Sequence, residues 1–329
     1  MAESNNDDMF KKMSEARDRY QAKAMSIPGV FGTSIGIRQV AGKLVAEPAI
    51  IFHVEKKSLL REIPVDERIP KELEGFPTDV VAEDLPATDG AARTQAAKVD
   101  EKKYRPLSGG CQIAAQGPDG TNIGGTLGCA VKYIGESRHE LYKGQICVLS
   151  NQHVMLGEGN PIFQPTNSHG DRIGSVRVSD NEVDAAIADF GWYNDGVEPE
   201  ILDIGPVTGT YDVTWSDIQR GVGYEVKKRG RTTGPTTGKI YSALFKASTP
   251  GTTGFDIKRY CIAQFNENKV VPGFAASGDS GSVVLNNKNQ VVGLLTALNR
   301  QADGTERGDL YATPIKDVLA RLQIEIWTG

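Results

Sequence analysis

After Pro106 the chain becomes a long series of short β-type runs, broken repeatedly by Gly, Asn and Asp. Cys111–Ala115, Cys129–Tyr133, Ile146–Leu149, Arg172–Val178 and Ala185–Phe190 form a first group. Glu225–Arg229, Lys239–Tyr241, Tyr260–Phe265, Ser282–Leu285 and Gln290–Thr296 form a second. Runs this short cannot carry a helix bundle, and their regular spacing predicts an all-β barrel or sandwich. One helix closes the series. Thr313 is its expected cap, Pro314 suits its first turn, and Ile315, Val318, Leu319 and Leu322 make an apolar stripe.

Before residue 106 the pattern differs. Phe10, Met13, Ala16, Tyr20 and Ala24 recur at helical spacing within residues 9–25, and Pro28 and Gly29 end that pattern. Val30–Val40 and Leu44–Val54 read as two strands joined at Ala41-Gly42-Lys43, with a third at Thr78–Ala82. Residues 1–83 are therefore expected to be a small α/β unit. Residues 84–105 lack apolar periodicity and read as a linker. Residues 106–329 form the β domain.

The bulk numbers exclude several classes. Hydrophobic residues make up 39% and charged residues 24%, as in an ordinary globular protein. The formal net charge of −5 argues against a nucleic-acid partner. No apolar run reaches the roughly 18 residues of a membrane span. The start, MAESNNDDMFKK, has no apolar core of the secretory kind, so a cytoplasmic location is expected. Cys111, Cys129, Cys147 and Cys261 show neither CxxC pairing nor metal-ligand spacing with histidine. They read as reduced, buried thiols, with no metal and no cofactor implied.

The most reactive-looking stretch is Ser277-Gly278-Asp279-Ser280-Gly281-Ser282, directly before the apolar Val283-Val284-Leu285. A nucleophilic serine needs a base, a group to orient that base, and oxyanion donors. Of the four histidines, His139 and His169 lie in polar loops and His53 in the N-terminal strand. Only His153, in QICVLSNQHVM, directly follows an apolar strand, where an imidazole can be held rigidly. Asp184 enters the apolar run Ala185-Ala186-Ile187, where a carboxylate is costly unless used. Asp189 is the second choice in that strand, and Asp180 lies in a turn.

In the order His153, Asp184, Ser280, and with SNQHV, VDAAI, GDSGS and VKKRGRTTGPTTGKI as its motifs, the chain resembles the trypsin-like serine peptidases of chymotrypsin fold. The resemblance spans residues 107–325. Within the superfamily, PLSGGCQIA, GTLGC, GRTTG and GFAASGDSGS look most like the intracellular group that includes the plant NARROW LEAF proteins and bacterial relatives. The resemblance implies two six-stranded antiparallel β-barrels with a C-terminal helix, preceded here by the small α/β unit. It implies Ser280 as nucleophile, His153 as base, Asp184 as its orienter, and the amides of Gly278 and Ser280 as oxyanion hole. Phe274, Thr296, Ala297 and Leu298 become the expected pocket wall. The substrate would be a protein or peptide, with a regulatory partner or self-association assigned to the N-terminal unit. The alternative is a protease-fold scaffold that binds a partner without turnover. No segment near residue 106 resembles the freed N-terminus that pairs with the nucleophile-adjacent Asp in secreted members, so no activating cut is expected.

Overall fold

A computed structural model describes residues 2–54, 56–82, 99–117, 120–138, 140–190, 196–247, 259–266, 269–271, 273–297 and 310–329. The architecture is mainly β, with few helices, and the apolar runs pair into two successive antiparallel assemblies. The first is an eight-stranded sheet. Its order runs Ile324–Ile326, Ala130–Tyr133, Ile146–Ser150, Ala185–Ala188, Arg172–Asp180, Pro161–Phe163, Gln112–Gln116 and Asn122–Thr126. The second closes on itself. Tyr224–Gly230 and Arg259–Asn266 both flank the long strand Gly234–Ala247. From Arg259–Asn266 the ring continues through Leu310–Pro314, Gln290–Ala297 and Val283–Leu285 back to Tyr224–Gly230, making six strands. Closure removes the open edges that would otherwise invite aggregation.

The helix Ile315–Leu322 follows, with Ile315, Val318 and Leu322 buried as the stripe requires. The expected cap is corrected. Pro314 holds the cap position and no side chain caps the helix. Thr313 is the penultimate residue of a strand, and its hydroxyl donates instead to the carbonyl of Val183. A residue fully buried in a ladder cannot turn its side chain back onto the helix that follows.

The N-terminal helix runs Ala2–Ser26, and the hairpin joins Val30–Val40 to Lys43–Val54. Its two-residue turn, Ala41 and Gly42, has φ of 51° and 77°, the mirror-image turn that matches strand twist. Ile50–Val54 pairs in parallel with Thr78–Ala82. The hairpin also joins the second barrel, with Gly36 opposite Ser242 and Gly32 opposite Ala247. One core runs through both: Met13, Ile35, Ile50 and Phe52 share it with Ile240, Phe245, Ile262 and Leu295. Arg17 is buried beneath the helix and donates to the carbonyl of Leu244.

Residues 84–98 of the expected linker lie outside the described residues. Its end is anchored to the β domain, since Asp100 pairs with Arg229, and Lys103 with Asp171 at 3.2 Å. Among the described residues no helix is long and apolar enough to cross a membrane.

The docking of the first helix can be tested at one ring pair. Phe10 stacks on Trp215 with centroids 4.9 Å apart. Phe10→Ala should lower unfolding free energy by about 2 kcal/mol, combining lost apolar burial with the aromatic pair. Urea denaturation reads this directly.

Candidate active site

The sequence from Ile146 to Ser150 is an apolar strand whose end abuts the turn that carries Ser280. Asn151 then starts a single helical turn, Gln152–Met155, which carries His153 on its exposed side and buries Val154 and Met155. The imidazole is 45% exposed and the Asp184 side chain only 14%. His153 Nδ1 donates to Asp184, with the two carboxylate oxygens at 2.8 and 3.0 Å. The backbone amide of His153 also donates to Asp184 Oδ1 at 3.0 Å. Asp184 thus holds both the ring and the start of the turn that bears it. Its own backbone is fixed in return, because Asn151 Nδ2 donates to the Asp184 carbonyl at 2.8 Å. Asp184 sits at φ 48°, a left-handed conformation that Asp tolerates better than most residues and that recurs at functional sites.

The runner-up acids have other partners. Asp189 pairs with Arg177 at 2.5 Å and accepts from the amide of Ser175. Asp180 caps its turn through the amide of Glu182 and meets Arg321 at 2.8 Å. His53 is completely buried, 2.7 Å from the Ser34 hydroxyl in the N-terminal hairpin. His139 lies outside the described residues.

Ser280 is 7% exposed. Its carbonyl accepts from Thr126 and the Gly281 amide donates to Leu295, so the turn is clamped between the first sheet and the barrel. A side chain on Gly281 would fall 2.1 Å from Ser150 Oγ, which shows how tightly this turn packs on the strand leading to His153. Within the turn, the amide of Asp279 donates to Ala276 and that of Ser282 to Asp279. The amide of Gly278 has no acceptor among the described residues. Gly278 adopts φ 97°, so its backbone turns in a direction an L side chain resists.

Asp279 is the residue the sequence leaves unexplained. Its side chain and that of Lys228 are both 0% exposed, and they pair at 3.0 Å. The carboxylate also accepts from the amides of Thr232 (2.8 Å), Thr233 (3.2 Å) and Ala276 (3.1 Å), and from the Thr233 hydroxyl (2.6 Å). Burial pulls the Lys228 ammonium below the usual lysine range, and the charge of Asp279 only partly offsets it. Strand alternation carried the signal. Val226 and Lys228 are two apart and share one face, so a buried Val226 implies an inward lysine.

The expected pocket wall is distributed differently. Phe274 is completely buried, its ring centroid 5.7 Å from Lys228 Nζ, so it supports the core beneath the site and does not face a cleft. Thr296 stands opposite Tyr311 in the ladder, and its hydroxyl is shielded without a hydrogen-bond partner among the described residues. Ala297 ends the strand. Leu298 lies outside the described residues. All four cysteines are buried and outside any disulfide, and burial pushes the thiols of Cys111, Cys129 and Cys147 up to about 12. No group of metal-ligating side chains occurs among the described residues.

No family model and no curated protein matches the chain. Solved structures do. Protease A of Thermobifida fusca is 20% identical with a TM-score of 0.47, over 68% of this chain and 99% of that one. The Nocardiopsis protease is 18% identical with a TM-score of 0.47, over 68% and 99%. The chymotrypsin of Cellulomonas bogoriensis is 19% identical with a TM-score of 0.44, over 69% and 100%. All three are proteases, and each is similar to this chain over about two thirds of its length.

Proposed function

We propose that the chain is a serine endopeptidase that hydrolyses peptide bonds through Ser280, His153 and Asp184. The observation that carries this is the doubly held imidazole of His153, set on a turn that follows the strand against which the Ser280 turn is packed. With Nδ1 donating to Asp184, Nε2 is the nitrogen left to accept the proton of Ser280. Ser280 Oγ attacks the carbonyl, and the amides of Gly278 and Ser280 receive the oxyanion. Nε2 then protonates the leaving amine, and water releases the acyl group by the same steps in reverse order.

The Asp279 carboxylate already has an internal cation and four further donors, which supports activity without an N-terminal cut. Buried thiols outside any disulfide fit the cytoplasmic, intracellular reading. Narrow specificity or restraint by a partner through residues 1–83 belongs to the same proposal.

A fluorophosphonate probe reacts with activated serines and tests the reading. Wild type should label, whereas Ser280→Ala and His153→Ala should not. A folded wild type that stays unlabelled would favour the scaffold reading.

A further inference from the structure

Arg231 opens the turn between Tyr224–Gly230 and Gly234–Ala247, and it crosses from the barrel to the first sheet. Its amide donates to Thr126 Oγ1 at 3.1 Å and its Nη1 to Gln112 Oε1 at 2.7 Å. The guanidinium lies between two glycines. A Cβ on Gly124 would be 2.5 Å from Nη1, and a Cβ on Gly278 would be 2.4 Å from Nε and 2.8 Å from Nη2. The group is therefore laid against the very turn that offers the oxyanion amide.

Its hydrogen bonding is incomplete. Nε is buried without a partner among the described residues. A guanidinium carries five N–H donors, and the Nε–H of this one is unused. Burial works against its charge, and Asp279 and Glu101 offset that only in part. Asp279 is committed to Lys228 and the threonines, and Asp100 to Arg229. Leaving a partly desolvated cation with an idle donor is costly unless an acceptor arrives.

The surroundings say where that acceptor would come from. Asn122–Thr126 is the terminal strand of the first sheet, so its outer edge can accept an added strand. Its Thr126 end bonds the carbonyls of Ser280 and Gly278, and Gly125 packs on Val154, the neighbour of His153. His153 delivers its proton to the leaving amine. Residues after the scissile bond would therefore run along this edge, past Gly124 and Arg231. Beyond Arg231 lies an open cavity of about 850 Å³, lined by Asp100, Glu101, Lys102, Arg229, Arg231 and Thr232 among others, with room for the departing chain.

We propose that Arg231 is a specificity residue that reads a carboxylate on the leaving side of the scissile bond, an Asp or Glu one or two residues after it. The planar fork suits two parallel hydrogen bonds to a carboxylate. The inference rests on the proteolytic reading and adds a substrate preference to it.

The test is a proteome-derived peptide library, cleaved by the full chain and sequenced by mass spectrometry. Wild type should enrich Asp or Glu over Asn or Gln at those two positions by about tenfold, the effect of one charge-assisted pair. Arg231→Gln should erase the enrichment, Arg231→Glu should shift it towards Lys and Arg, and Arg231→Lys should keep part of it. The preference is a ratio within one digest, so a partly unfolded variant does not mimic the result. Charge-blind cleavage by wild type, or an unchanged preference in Arg231→Gln, overturns this inference alone. No cleavage by folded wild type overturns the proteolytic reading and this inference with it.

Discussion

Ser280→Ala is expected to reduce kcat by about 10⁶-fold, His153→Ala by about the same, and the double variant by no more than either single one. Non-additivity is the informative part. If the imidazole serves only to take and return the proton of Ser280, it has nothing left to do once that hydroxyl is gone. Asp184→Asn should cost less, about 10⁴-fold. The asparagine keeps an oxygen that can accept from the His153 amide, but its NH₂ then faces Nδ1 and favours the wrong tautomer. Steady-state kinetics on a peptide recovered from the library would check all four values. Turnover within tenfold of wild type in Ser280→Ala would sink the triad. Single effects that multiply in the double variant would mean that Ser280 and His153 act independently.

The parts of this molecule that follow from local pattern were legible in the sequence. Apolar runs ending at Ser150 and beginning at Ala185 announced strands, and their ends singled out His153 and Asp184, which the structure joins at 2.8 Å. The closing helix showed itself by its stripe, although its expected cap did not hold. What stayed hidden depends on register between distant segments. Nothing local in Gly36 or Ser242 says that they oppose each other across a ladder, so the N-terminal hairpin looked separable from the barrel whose core it shares. The resemblance puts Phe274 in the pocket wall, but a residue's burial is decided by what folds over it. Lys228 and Asp279 are 51 residues apart, and a lysine in a strand reads as solvent-facing until its alternation with Val226 is taken seriously.

That buried pair sets the second large expectation. Lys228→Met should destabilise the fold by about 3–5 kcal/mol, because it leaves Asp279 charged, fully buried and without a counter-ion. Fluorophosphonate labelling should fall with it even where the protein remains folded. Asp279 fastens the amides of Thr232, Thr233 and Ala276, and so fixes the shape of the turn from Ala276 to Ser280. The double variant Lys228→Met, Asp279→Asn should regain most of the stability, since no lone charge remains, but only part of the labelling. Wild-type labelling in the folded single variant would show that the pair is structural only. A pH series separates the two roles further. Burial lowers the Lys228 pKa in the folded protein, so the unfolded chain holds that proton more tightly. Between the lowered folded value and the usual lysine value near 10.5, unfolding takes up a proton, and this group's contribution to stability rises with pH. Over the same window the ion pair is lost and the turn relaxes. In wild type, activity should therefore decline on the alkaline side before the ordinary lysine range, while the neutral Lys228 amine still donates to Asp279, which Met cannot do, and spares the fold the loss that Lys228→Met causes. In the double variant that alkaline limb should be absent, because Lys228, the group that titrates there, is gone.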